Sequence, residues 1–218
     1  MEASEGGDAT ARFPDRAAAG RELGALLAER EVGRDAVVLG LPRGGLPVAA
    51  EVAASLKAPL DMFAVRKLGV PGYPELAMGA VATGGVRVLN DDVLASAPDI
   101  SPDELEAITQ QELEELRRRE TAYRGDRPPP DLSGRTAILV DDGLATGATM
   151  RAAVAAARKT ASKVIVAAPV ASWQAIAQVE AEADDVAVVY VPKRLGAVGM
   201  YYDDFRQVSD AEACALLR

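Results

Sequence analysis

The chain has 218 residues, nearly half of them apolar, and a formal net charge of −9; that is enough chain for one sizeable core. The acidic balance argues against a broad nucleic-acid or anionic-membrane footprint, which needs clustered Lys and Arg. With no histidine and a single cysteine, Cys214, the chain excludes Ser-His-Asp and Cys-His catalysis, His-based zinc sites and an internal disulfide. A lone thiol fits a reducing cytosol. No apolar run reaches the ~18 residues of a membrane span. The small, acidic start carries no signal-peptide pattern. The expectation is a cytoplasmic protein with a disordered tail over residues 1–12 and a single domain over 13–218.

Arg16 to Glu29 reads as a helix with Leu23, Leu26 and Leu27 on one face. Ala36 to Leu41 is a continuous apolar run, the mark of a strand buried on both faces. Pro42-Arg43-Gly44-Gly45 breaks it, and a helix over Val48–Leu56 and a strand over Leu60–Val65 follow. Lys67 to Leu76 holds Gly69, Pro71, Gly72 and Pro74, a density of breakers that reads as a mobile loop. Gly79–Ala82 and Val86–Leu89 read as a hairpin. Ser101-Pro102-Asp103-Glu104 is a capping box that opens a charged helix to about Tyr123; most of its surface is expected to meet water or a partner subunit. After the connector Asp126–Ser133, Thr136–Val140 is a second apolar strand. Helices over Met150–Lys159 and Gln174–Ala183 alternate with strands over Lys163–Ala168 and Val186–Val191. The alternation predicts an α/β fold with a doubly wound, mainly parallel sheet.

In such sheets ligands bind beyond the carboxyl ends of the strands, where strand order reverses. The strand over Thr136–Val140 delivers Asp141 and Asp142 to that edge. Gly143 to Thr149 then lead into a helix. Gly147 lets the backbone approach a ligand closely, Ala145 and Ala148 add little bulk, and Thr146 and Thr149 bring hydroxyls. Successive N–H groups at a helix start suit an anion. The helix dipole alone contributes about 0.3–1 kcal/mol at an exposed site, so several donors must converge to hold a phosphate. The two aspartates would repel it and suit neutral hydroxyls or a hydrated cation.

Ile138-Leu139-Val140-Asp141-Asp142-Gly143-Leu144-Ala145-Thr146-Gly147-Ala148-Thr149 resembles the phosphoribosyl-diphosphate (PRPP) signature of type I phosphoribosyltransferases. The resemblance spans roughly Phe13 to Leu217 and is most specific to a bacterial subgroup of provisionally named phosphoribosyltransferases, some fused to hydrolase domains. It is carried also by Asp15-Arg16, Ala19-Gly20, Leu39 to Gly45, Val65 to Gly69, Glu75-Leu76-Ala77 and Ala197-Val198-Gly199. It implies that Asp141 and Asp142 hold the ribose hydroxyls and that Ala145 to Thr149 cradle the 5-phosphate. Gly143 departs from the family's usual aliphatic residue, which would loosen the loop.

The resemblance also makes Arg43, Gly44 and Gly45 a diphosphate loop, with a cis bond between Pro42 and Arg43; by itself Pro-Arg-Gly-Gly is equally a plain turn. Arg66 and Lys67 would neutralise the leaving group at the root of a closing loop, or else be a solvated pair. Glu75 would serve as a base on the acceptor, or be a solvated loop acid. Residues 192–210 would form a small hood in which Tyr201, Tyr202 and Phe205 stack on the acceptor; the alternative is a hydrophobic clasp for the chain end. The implied activity is transfer of phosphoribose from PRPP to an unidentified nitrogen heterocycle, with release of diphosphate. Mg²⁺ is expected near Asp141 and Asp142, held mostly by PRPP and water, and a homodimer is expected. Hypoxanthine–guanine enzymes place an acid where Ala145 stands and a lysine near Ala168-Pro169-Val170, so 6-oxopurine salvage is disfavoured. A non-catalytic PRPP sensor is the second reading.

Overall fold

The apolar runs of the sequence condense into one parallel sheet flanked by helices. In the computed structural model, residues 13–30, 32–96 and 100–218 are described, and the tail expected over 1–12 lies outside them. In chain order the elements are α1 (Arg16–Ala28), β1 (Val37–Gly40), α2 (Gly45–Leu56), β2 (Leu60–Met62), β3 (Val65–Val70), β4 (Tyr73–Ala82), β5 (Val86–Leu89), α3 (Asp91–Ser96), α4 (Pro102–Arg124), β6 (Thr136–Val140), α5 (Ala148–Ala157), β7 (Lys163–Val170), α6 (Trp173–Glu180), β8 (Asp185–Tyr190) and α7 (Asp210–Leu216).

The main sheet has the order β2-β1-β6-β7-β8, with every neighbouring pair parallel. Alternate residues of each strand point to opposite faces. Val38, Ile138, Val140 and Ile165 therefore pack with Leu23, Leu27 and Val52 of α1 and α2. Val37, Leu39, Leu139 and Val166 pack with Met150, Val154 and Val179 of α5 and α6 on the other face. Burying each such aliphatic contributes about 1.5–3 kcal/mol relative to leaving it exposed. This two-sided burial is why β1 and β6 read as unbroken apolar runs. Strand order reverses between β1 and β6, so the ends of these two strands frame a crevice.

A second, antiparallel sheet, β3-β4-β5, lies beside the first. It overturns the mobile loop expected over Lys67–Leu76. Pro71 and Gly72 form the turn of a β3–β4 hairpin, with Gly72 at φ +79°, the conformation a type II turn assigns to glycine. The breakers punctuate a hairpin. Leu68, Val70, Met78 and Val81 of this sheet bury against Leu113 and Leu116 of α4, so α4 has an apolar face as well as a charged one. The capping box at its start is formed by Ser101 and Glu104. Two short helices, α3 and α7, have no counterpart in the sequence reading. Among the described residues no helix is long and apolar enough to cross a membrane.

Candidate functional site

Two loops meet at the crevice. Pro42 to Gly44 follow β1 and lead into α2, and the Pro42–Arg43 peptide is cis, as the resemblance implied. Residues 141–147 follow β6 and lead into α5. The loops interlock through absent side chains. A Cβ on Gly45 would lie 2.5 Å from the Val140 carbonyl oxygen, and one on Gly44 would overlap Oδ2 of Asp142. Only glycine permits this approach.

The acid pair is held from several directions. The Asp142 N–H donates to Oδ1 of Asp141 at 2.9 Å. The Arg16 guanidinium donates to Oδ2 of Asp142 at 2.8 Å and to the Arg206 carbonyl at 2.9 Å. The Tyr202 hydroxyl donates to the Asp142 carbonyl at 2.6 Å. No hydrogen bond from another described residue is recorded at Oδ2 of Asp141 or Oδ1 of Asp142. Burial, and then the Asp142 charge, push the Asp141 carboxyl above the carboxylate range. Burial also raises Asp142, opposed by the hydrogen bond and charge of Arg16. Arg16 carries no local signal for this role, because its partner lies 126 positions away.

The phosphate-type loop has a rigid base and an open rim. The Leu144 N–H donates to the Val170 carbonyl at 2.9 Å, and the Ser172 N–H donates to the Leu144 carbonyl at 2.9 Å. The Ser172 hydroxyl donates to the Ala145 carbonyl at 2.7 Å, a support the sequence reading missed. Gly147, at φ +74°, caps α5. Ala145, Thr146, Ala148 and Thr149 are exposed and Gly147 is buried, and the Ala148 N–H donates to Oγ1 of Thr146 at 3.5 Å. The loosening expected from Gly143 is offset. A Cβ there would overlap Cγ1 of Val198, so a methyl from the C-terminal segment fills the vacated space.

The cations divide between two cavities. Arg43 and Arg66 line a cavity of about 370 Å³ over the ends of β1 and β2. Lys67 lines a separate cleft of about 770 Å³, together with Ala148 and Arg151. Lys67 was expected to share the leaving group with Arg66. Both belong to β3, however, and a strand sends successive side chains to opposite faces.

The C-terminal segment acts as the clasp. Tyr201 and Tyr202 are 5% and 4% exposed, so neither ring offers a free face to an acceptor. The Phe13 N–H donates to the Tyr201 carbonyl at 2.9 Å, and the Asp203 N–H donates to the Phe13 carbonyl at 2.8 Å. Phe205 is half-buried. Its ring stacks on Tyr202 at 5.0 Å and lies 3.9 Å beneath the Arg16 guanidinium. The backbone of Glu75 belongs to β4, and its side chain lies outside the described residues.

A doubly wound sheet with two glycine-bearing loops at its switch point places the chain among the α/β proteins whose loops meet beyond the carboxyl ends of the strands. The phosphoribosyl transferase domain matches residues 15–203, and the chain belongs to that family. It is 48% identical over 206 residues to proteins of Mycobacterium tuberculosis strains CDC 1551 and H37Rv that are provisionally named phosphoribosyl transferases. The match covers 94% of this chain and 46% of those proteins, so the chain spans about half their length. The crystal structure of TT1426 from Thermus thermophilus is similar at a TM-score of 0.86 and 43% identity, covering 94% of this chain and 97% of that one.

Proposed function

We propose that the chain binds PRPP and moves its 5-phosphoribosyl group to a nitrogen-heterocycle acceptor, releasing diphosphate. The observation that carries this reading is the pairing, at one switch point, of an open phosphate-type loop with two carboxylates whose outer oxygens are free of protein partners among the described residues. The exposed residues of the loop, with the hydroxyls of Thr146 and Thr149, suit the 5-phosphate. The free oxygens of Asp141 and Asp142 suit the ribose hydroxyls, with Arg16 orienting Asp142. Breaking the bond from C1 to diphosphate leaves positive charge on the ring and negative charge on the leaving group, the same electronic problem glycosidases solve. Arg43 and Arg66 lie where they would stabilise that negative charge.

The same free oxygens would suit Mg²⁺, which takes one or two carboxylates and fills its shell with phosphate and water oxygens, and whose charge would favour the ionised form of the Asp141 carboxyl. When bound it would supply charge neutralisation on the diphosphate. Ala145 brings no acid to the loop, which argues against a 6-oxopurine acceptor.

The test is calorimetric titration with PRPP and Mg²⁺, followed by a diphosphate-release assay against a panel of purine and pyrimidine bases. Asp141→Asn and Asp142→Asn are each expected to weaken PRPP binding by roughly 10- to 100-fold, the worth of a hydrogen bond to a charged group. Wild type that fails to bind PRPP would overturn the proposal. Binding without turnover on any base would favour the non-catalytic sensor.

A further inference from the structure

We infer that α4 completes the anion site, with Arg118 and Arg119 as clamps for the diphosphate end of the ligand. The inference rests on the PRPP reading above and concerns a helix that reading does not use. The cavity of about 370 Å³ beside the Pro42–Arg43 peptide is lined by Arg43 and Arg66 together with Arg118, Arg119 and Tyr123 of α4. Its size suits a small ligand. Four arginines line this one cavity and pair with three carboxylates, those of Asp210, Glu112 and Glu115, so one positive charge is left in excess for an anion to meet.

The helix is built to present this pair. Positions 118, 119, 122 and 123 lie on neighbouring faces of adjacent turns, and Ala122 leaves room between the long side chains. One turn earlier, Glu115 accepts from both arginines, at 2.7 and 2.9 Å from Arg118 and 2.8 Å from Arg119. One carboxylate thus serves two guanidinium groups and leaves them a net positive charge. Their side chains remain 70% and 48% exposed, so donors are left over for a ligand. Arg66 is steadied in the same way by Glu112 at 2.6 Å. Planar guanidinium forks match phosphate oxygens in pairs.

The cavity already takes one anion of the chain's own. The Asp210 carboxylate, from the first turn of α7, lies 3.8 Å from Arg43 and accepts the Tyr123 hydroxyl at 2.5 Å. A diphosphate entering the cavity replaces this single carboxylate as the partner of Arg43.

The experiment is calorimetry in Mg²⁺ buffer with three probes: PRPP, inorganic diphosphate and ribose 5-phosphate. The proteins are wild type, the double variant Arg118→Ala/Arg119→Ala, and Arg117→Ala, which removes an exposed charge of the same helix outside the cavity. The double variant is expected to bind PRPP and diphosphate roughly 100-fold more weakly, about tenfold per arginine, and ribose 5-phosphate as wild type does. Arg117→Ala is expected to change none of the three. Unchanged PRPP binding in the double variant overturns the inference and leaves the PRPP reading standing. So does an equal loss in Arg117→Ala, which would trace the effect to bulk charge, or an equal loss of ribose 5-phosphate, which would trace it to the fold. Wild type that binds none of the probes removes the PRPP reading and the clamp with it.

Discussion

At Asp141 the chain keeps a carboxyl where burial and a neighbouring acid both oppose its charge. A carboxyl raised in the folded state holds its proton above the ordinary range near pH 4. Its contribution to stability is whole below that range and is lost as pH rises through the folded value. Asp141→Asn carries no charge at any pH. Its melting temperature should exceed that of wild type on the alkaline side of neutrality, and the gap should close as pH falls toward about 5. The expected rise is about 2–4 °C, the shift per kcal/mol in a chain of this size, read by calorimetry at several pH values. A gap that does not change with pH would contradict this account. At this scale the loop from Asp141 to Thr149 was legible in the sequence because its chemistry is contiguous. Arg16 and Tyr202 were not, since they reach Asp142 from 126 and 60 positions away. Nothing local marks such a contact.

Among the elements, α4 shows both sides of legibility. Its start could be read because a capping box needs only four consecutive residues. Its docking could not, because it depends on the hairpin that the breakers at Gly69 to Pro74 concealed. Arg124 fixes the far end of the helix. Its buried guanidinium donates to Asp61 at 2.7 Å, to Glu120 at 2.9 Å and to the Met62 carbonyl at 2.6 Å. Removing one member of a buried pair leaves the other uncompensated. Arg124→Ala is therefore expected to cost about 3–5 kcal/mol in unfolding free energy, measured by urea titration. Because Arg124 lies in the turn after Arg118 and Arg119, the variant should also weaken diphosphate binding. A loss below about 1 kcal/mol, the scale of an exposed ion pair, would show that α4 does not depend on this anchor.

For the whole molecule, alternation of apolar strands and helices was enough to read a doubly wound sheet. It could not supply the order β2-β1-β6-β7-β8, which sets the two loops side by side, nor the placing of Arg66 and Lys67 on opposite faces of β3. Asp142 joins residues from near both ends of the described chain, and such contacts carry a consequence in time. Pairings between distant positions form late in folding, after local structure has reduced the entropy of closing long loops. The helices, whose contacts are local, can return while Arg16 and Tyr202 still lie away from Asp142 and before β1 closes on β6, which pairs Val37 with Ala137. On dilution from denaturant, far-ultraviolet circular dichroism should recover first and PRPP binding after it. Recovery of the two in step would mean that the site is assembled along with the helices that flank the sheet.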